Sequence, residues 1–454
     1  SGILTYSGVN IIKNNTVRNG KGNNTGTING SFSLKGIQIR SSTAGQIVEG
    51  NTIYNLQNNN TGASNYATSA IHFSTSTGLS TVSRNRIYNI TSLGTGTGAN
   101  APVNIGIDNS SASLNIINNQ ISLSASTLEP RLIGIYNNST GNITTLYNSV
   151  YLGGVCANTA QTSYGYLRNS TSNDTVRNNL FFNQRTGGAN NYCMGVTSAT
   201  NWTSGSANYN AYFPSSANQI GVIGAFTQQT FANWKINSLG DKSSVSTTGV
   251  SSANLFTSTS SGNLNIIPSN VECWYMNGLG TPVTTPQVLN DYGTSTTVRS
   301  VSISTGATDI GSDEFTPLAN PPDVIASGLP ANSTTTTYTF MGRTLGSIVW
   351  GPGGTVPSGL EFKYYAGTNP PGSFGFPVAN GYWLITATGS DNFSYDITIN
   401  YDDAILGEIT ADSDIRLSKS EDGGATWNTF TVNGTAAGQY ALDTNNNTIK
   451  VYGL

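Results

Sequence analysis

The 454-residue sequence predicts an all-β protein: a right-handed parallel β-helix followed by a C-terminal, Ig-like β-sandwich. Three observations predict it. A short β-branched run recurs seven times around one asparagine, and a second run recurs in step with it. Beyond residue 323 this pattern gives way to short alternating strands separated by turns.

The asparagine-centred run reads IIKNNTV at Asn15, VEGNTIY at Asn51, SRNRIYN at Asn85, INNQISL at Asn119, LYNSVYL at Asn148, RNNLFFN at Asn179 and NYNAYFP at Asn210. The steps are 36, 34, 34, 29, 31 and 31 residues. Two residues past each asparagine lies Val17, Ile53, Ile87, Ile121, Val150, Phe181 or Tyr212. Three before it lies Ile12, Val48, Val82, Ile116, Thr145, Val176 or Ala207. The companion run aligns on Ile37, Ile71, Ile107, Ile135, Tyr166 and Val196. Helical repeats of this length are a poor fit, because Asn, Gly, Ser and Thr are weak helix formers and the Val and Ile recur at spacing two. Stacked coils ~4.8 Å apart would place the aliphatic columns inside and turn Asn15, Asn51, Asn85, Asn119, Asn148 and Asn179 into a structural ladder of amides.

Composition bounds the partners. Charged residues make up only 9% and the net charge is −3, so no basic patch points to nucleic acid. No run of 18 apolar residues is present to span a membrane. Three cysteines make no disulfide framework; Cys156 and Cys193 lie one coil apart and could meet or remain buried thiols, and Cys273 is left over. With one histidine and no Cys-x-x-Cys spacing, thiolate or imidazole metal sites are not expected.

Taken in order, residues 1–213 read as β-helix coils. Ser1–Tyr6 starts in mid-pattern with no capping segment, which suggests that upstream residues have been removed or that another chain covers this strand edge. Ser1–Asn10 does not read as a signal peptide, in keeping with a mature or trimmed chain. Polar inserts at Gln57–Thr68 and Ser92–Pro102 should leave the solenoid at one corner. Residues 214–315 read as an irregular closing part, with Phe226, Phe231 and Trp234, a GDKSSVS segment and a terminal DIGSDEF at Asp309–Phe315.

This succession of NIxNNxI-like coils, a YNAYF segment, an aromatic-plus-GD segment and DIGSDEF resembles the secreted right-handed β-helix surface proteins of Bacteroidota-type bacteria. The resemblance covers about Ser1–Phe315. It implies the pectate-lyase-like superfold, export by the type IX route and an extracellular or cell-surface location. No C-terminal sorting domain is recognisable, in keeping with its removal on export.

Residues 316–323, TPLANPPD, read as a linker, since proline favours extended backbone. Residues 324–454 carry strands expected at Thr336–Phe340, Ser347–Trp350, Leu360–Tyr365, Tyr382–Thr388, Tyr395–Tyr401, Ile415–Ser418, Trp427–Val432 and Thr448–Tyr452, a sandwich pattern. Within it, Ser420–Trp427 (SEDGGATW) resembles the Asp-box hairpin, in which Asp and Ser/Thr knit a turn anchored by Trp.

Candidate chemistry is sparse. The superfold includes pectate lyases and polygalacturonases, whose reactions need clustered carboxylates. Before Gly240 the acids are Glu49, Asp108, Glu129 and Asp174, and the repeat alignment scatters them. His72 and Asp108 should be outward neighbours on successive coils, either orienting a base or forming an exposed cross-strand pair. The column three past the asparagines, Arg18, Tyr54, Tyr88, Ser122, Tyr151 and Phe182, should face out. Its aromatics Tyr54, Tyr88, Tyr151 and Phe182 could bind sugar rings or a partner, or simply stiffen the stack. In the C-terminal domain Asp402, Asp403, Asp412 and Asp414 could hold calcium or be solvated turn acids. No other cofactor is implied.

These features favour a non-catalytic extracellular structural or adhesive protein, self-associating head to tail into a fibre. A polysaccharide-binding or polysaccharide-degrading β-helix protein is the alternative.

Overall fold

The computed structural model describes all residues except 24–32, 61–66, 75–77, 95–101, 126–129, 228, 294–297, 301, 303–305, 373, 390–391 and 410. Residues 61–66 of the expected insert at Gln57–Thr68, residues 95–101 of that at Ser92–Pro102, and Glu129 lie outside the described residues. The chain separates into two compact units. The first comprises Ser1–Ile267, Asn290–Val298 and Ile310–Phe315; the second comprises Pro268–Leu289, Arg299–Asp309 and Thr316–Leu454. Among the described residues no helix is long and apolar enough to cross a membrane.

The first unit is a parallel β-solenoid of about 7 turns. Three parallel sheets run along it. The first sheet stacks eight strands, from Ile3–Thr5 through Leu34–Ile39, Ala67–Phe73, Val103–Asn109, Arg131–Asn137, Thr162–Arg168 and Asn190–Val196 to Gly221–Ile223. The second runs from Ile11–Lys13 to Ala207–Asn208, and the third from Thr16–Arg18 to Val245–Ser246. The expected inward columns hold: Ile53, Ile87, Ile121, Val150, Phe181 and Tyr212 are register partners in turn, and each is fully buried. One companion position differs. Tyr166 pairs with Met194, and Val196 pairs with Arg168, because this coil is two residues shorter before the inward position than the spacing implies.

A feature of the first sheet escaped strict alternation. Gly36, Ala70, Gly106, Gly134, Gly165 and Cys193 lie just before the inward aliphatics and also point inward. Ala70 and Ile71, for instance, are consecutive and both belong to the core. Small residues are required there: a Cβ at Gly134 would sit 2.3 Å from Val150 Cγ1 and 2.5 Å from the Gly165 carbonyl oxygen. The double inward step flips every residue before it to the outside.

The ladder forms as expected at the turn into the third sheet. Each backbone N–H and each side-chain Nδ2 donates to the Oδ1 of the next asparagine at 2.9 to 3.1 Å, from Asn15 through Asn51, Asn85, Asn119, Asn148 and Asn179 to Asn210. The residue before each rung is left-handed, with φ between 53° and 66°, and it includes Arg84 and Tyr147 as well as Asn and Gly. The turn geometry and the amide bonds therefore hold residues that would not choose this conformation.

The far end of the solenoid is closed. Thr230 caps a helix at Phe231–Ser238, which places Trp234, fully buried, in the core. The GD segment supplies Asp241, also fully buried, which gathers Asn210 Nδ2 (3.2 Å), Ser244 Oγ (2.5 Å), Tyr212 OH (2.9 Å) and Trp234 Nε1 (2.7 Å). DIGSDEF folds against the third sheet. Gly311 N–H donates to the Asn178 carbonyl (2.8 Å), and Ser312 donates twice to Ser149 Oγ (2.9 and 3.0 Å). Gly311 has φ +98° and a Cβ there would meet Ser149 Oγ at 2.9 Å, so glycine fits both the turn and the approach.

The second unit contains a six-stranded antiparallel sheet: Ile325–Ala326, Thr335–Phe340, Arg343–Gly354, Phe393–Asn400, Thr448–Val451 and Tyr440–Asp443, in that order. The hairpin Gly359–Ala366/Gly381–Thr388 packs on it, with Tyr338 stacked on Phe362 (4.6 Å) and Phe340 edge-on to Tyr364 (6.2 Å). Residues 316–323 are tied in place rather than free as a linker. Leu318 N–H donates to the Pro268 carbonyl (2.8 Å), and Trp274 Nε1 donates to that of Ala319 (2.7 Å). The closing part expected at 214–315 is likewise divided, since Asn277 Nδ2 bonds the Ala366 carbonyl (2.7 Å) within the second unit. The Asp-box turn is knitted as expected: Asp422 accepts from Thr426 N–H (2.9 Å), Thr426 Oγ1 (2.6 Å) and Ser420 Oγ (2.8 Å).

Candidate functional site

The double inward step in the first sheet builds a polar cluster on its outer face. Ala70 and Ile71 both turn in, so Ser69 and His72 both turn out; Lys35 is the register partner of Ser69, and Asp108 that of His72. Three donors converge on Asp108 Oδ2: His72 Nδ1 at 2.8 Å, Ser69 Oγ at 2.8 Å and Lys35 Nζ at 3.2 Å. Lys35 also donates to Ser69 Oγ at 2.8 Å. Beside them Val103, Ile105, Ile133 and Leu167 form an outer apolar patch with Tyr136 and Tyr164 packed on it.

The His72–Asp108 pair is therefore neighbouring, as expected, but it is not solvent-exposed: Asp108 is 5% exposed and Lys35 is 7% exposed. Sequence reasoning missed Lys35 and Ser69, because strict alternation puts Lys35 on the same side as Ile37. The glycine at position 36 was the available signal.

Burial alone would push the Asp108 carboxyl up. The bond from His72, the charges of Lys35 and His72, and the Ser69 hydroxyl outweigh it and hold the group at about 2, below its ordinary 3.8. The lysine balances the carboxylate and the serine hydroxyl is engaged on both sides, so the arrangement is suited to pinning three coils together rather than to delivering a nucleophile. A depressed carboxylate stabilises the fold above its unfolded pKa and loses that contribution as pH falls through the folded value. Asp108 should thus contribute about 2 kcal/mol near neutral pH, lost between about pH 4 and pH 2. Urea titrations of the native chain and Asp108→Asn across this range check it; parallel pH profiles would refute the assignment.

The aromatic column behaves differently along its length. Tyr54 and Tyr88 stack at 4.8 Å with planes 4° apart, and Arg18 Nη1 donates to Tyr54 OH (3.2 Å). Gly262 lies against the Tyr88 ring. The ring faces are thus largely occupied, and edges and hydroxyls remain for contact. Tyr151 and Phe182 lie 5.7 Å apart but are not an exposed strip: Phe256 packs on both, at 6.3 and 5.6 Å, and Phe182 is fully buried. Ser122 Oγ between the two pairs donates to the Thr259 carbonyl (2.6 Å). The segment after the seventh coil covers this half, which the local pattern could not disclose.

Among the described residues the solenoid acids Glu49, Asp108 and Asp174 stay apart, while Glu129 lies outside the described residues. Glu49 pairs with Lys13 (2.7 Å) and with Arg84. Asp174 lies inside the solenoid, bonded by Tyr166 OH and by Asn137 Nδ2 (3.0 Å), with Arg168 at 3.7 Å and fully buried. This internal network was not anticipated. Its residues occupy inward positions where the sequence suggested only apolar groups.

Two of the four calcium candidates, Asp402 and Asp403, are engaged by other side chains. Asp402 Oδ2 accepts from Arg343 Nη2 (2.8 Å) and its Oδ1 caps Ala404 N–H (2.9 Å), while Asp403 accepts from Asn447 Nδ2 (2.7 Å). A guanidinium on Asp402 disfavours a second cation. Among the described residues no three His, Cys, Asp or Glu side chains come together as a metal site. Cys156, Cys193 and Cys273 are free and buried, and burial pushes the Cys273 thiol up to about 12. Comparison with known protein families, with curated proteins and with solved structures gave no match.

Proposed function

We propose that this is an extracellular, non-catalytic structural or adhesive surface protein whose copies associate head to tail into a fibre. The observation that carries the reading is how the described acids of the solenoid are engaged: Glu49 pairs with Lys13 and Arg84, Asp108 is buried against Lys35 and His72, and Asp174 lies against Arg168, so these carboxylates are held apart from one another. A heterologous contact between copies that does not close propagates a filament. The extracellular placement, with type IX export, rests on the resemblance to secreted β-helix surface proteins. The amide ladder and the buried ion clusters supply the rigidity such a subunit needs. Negative-stain images of the purified chain over a range of salt and concentration test the reading. Ordered fibres support it, and monodisperse particles under every condition refute it.

A further inference from the structure

At the corner where the third sheet passes into the first, the solenoid encloses a charge with no counter-ion among the described residues. Arg185 lies between the strands Leu180–Asn183 and Thr186–Gly187 and is fully buried. Its Nη2 donates to the Pro130 carbonyl (2.7 Å), whereas its Nε and Nη1 are buried without a partner among the described residues. No carboxylate among those residues pairs with it; Asp174, the nearest along the chain, lies beside Arg168. A guanidinium keeps its proton inside a protein, so one this deep calls for an anion beside it.

The surroundings add further donors and leave space. Burial pulls the Arg185 guanidinium below its ordinary range, and the neighbouring Cys156 thiol partly offsets that pull. Cys156 is itself buried, and its Sγ lies 3.5 Å from the Asn158 carbonyl. Asn158 Oδ1 accepts from the Ala160 N–H (3.0 Å), but its Nδ2 is buried without an acceptor among the described residues. The two residues that meet Cys156 thus carry three unmatched nitrogens, and all three are donors. Cys156 faces Gly187 across the coils, and Gly188 packs against it; neither brings a side chain into the corner. Water satisfies isolated buried donors elsewhere, yet it would leave this charge unbalanced.

We propose that Arg185 and Asn158 hold a small monovalent anion of the halide class, chloride in ordinary solution, in the corner beside Cys156. A halide accepts from several N–H groups at once without a fixed geometry, and it carries the single negative charge that the guanidinium lacks. A doubly charged oxyanion would leave a surplus of one charge in the same buried place. The site lies within one solenoid and stands apart from the fibre reading. Its effect is to tie the Pro130, Cys156 and Arg185 turns of successive coils through one ion, so the solenoid should be more stable when the ion is present.

The test follows urea unfolding of the full chain while chloride replaces gluconate, an organic anion too bulky for the corner, at constant ionic strength. A saturable gain in stability with chloride is expected, and Arg185→Gln should abolish it. Should that variant not fold, Asn158→Asp carries the test. It keeps the oxygen that accepts from Ala160 and supplies a carboxylate in place of the ion. It should therefore be more stable than the native chain in gluconate and respond to chloride at least ~tenfold more weakly. In crystals grown with bromide, an anomalous peak is expected within hydrogen-bond reach of Arg185 Nε and Nη1. Equal stability in chloride and gluconate overturns the proposal, as does a chloride effect that persists unchanged in either variant. A bromide peak without a chloride effect marks an adventitious ion only and overturns it too. So does an empty corner in which Cys156, alone of the three cysteines, is alkylated faster in the native chain than in Arg185→Gln, since the thiol would then supply the balancing charge.

Discussion

Replacing Asn119 by alanine should destabilise the solenoid by about 4 kcal/mol. Asn119 sits mid-ladder and is fully buried. Its Oδ1 accepts both the backbone N–H and the side-chain Nδ2 of Asn85, at 3.0 and 2.9 Å. Its Nδ2 donates to the Val82 carbonyl (2.9 Å), the Ile117 carbonyl (3.2 Å) and Asn148 Oδ1 (2.9 Å). Alanine leaves several of these groups buried without partners, each worth ~1–3 kcal/mol before any relaxation or water entry. Asn15→Ala is the internal comparison. That rung is only partly buried and donates to Lys13 and Asn51, so about 1 kcal/mol is expected. Urea unfolding followed by circular dichroism measures the difference, and hydrogen exchange at the Asn85 amide localises it. Equal effects at both rungs would mean that the ladder is not a cumulative network.

Asp241→Ala should have a similar cost, about 4 kcal/mol, at the closed end of the solenoid. The four donors gathered on this carboxylate lose their acceptor together, and alanine must also adopt the left-handed φ of 57° found at this position. Asp241→Asn tolerates that conformation and keeps one acceptor oxygen, so about half the loss is expected. A separate readout does not depend on stability. Burial first, and then the neighbouring carboxylate, hold the Tyr212 phenol well above its ordinary 10. Removing the charge should shift the titration of this phenol downward toward the alkaline range of ordinary tyrosines, seen as earlier tyrosinate absorbance in the folded chain. An unchanged titration would mean that burial alone sets it.

How far the fold could be read from the residues depended on the range of the interaction involved. Coil stacking is local and periodic. One slot per coil must be aliphatic and another an amide, so Ile53, Ile87 and Ile121, or Asn51, Asn85 and Asn119, declare themselves by spacing alone. The Asp-box turn at Ser420–Trp427 was legible for the same reason, since its bonds close within five residues. The functional candidates were legible only in part. His72 and Asp108 emerged as neighbours from register, whereas Lys35 and Ser69 were hidden by the double inward step at Gly36 and Ala70, which breaks the period of two.

The sequence by itself determined the number of coils, their inward columns and the amide ladder, because each of those follows from identical environments repeated at a nearly constant interval. Only the tertiary structure decided which outward residues meet water. Phe182 lies under Phe256, and Asp402 pairs with Arg343, each by contacts between segments that share no period. Burial is a property of what comes to lie on top of a residue, and non-repeating segments such as those around Phe256 and Asp241 leave no spacing from which their resting place can be read.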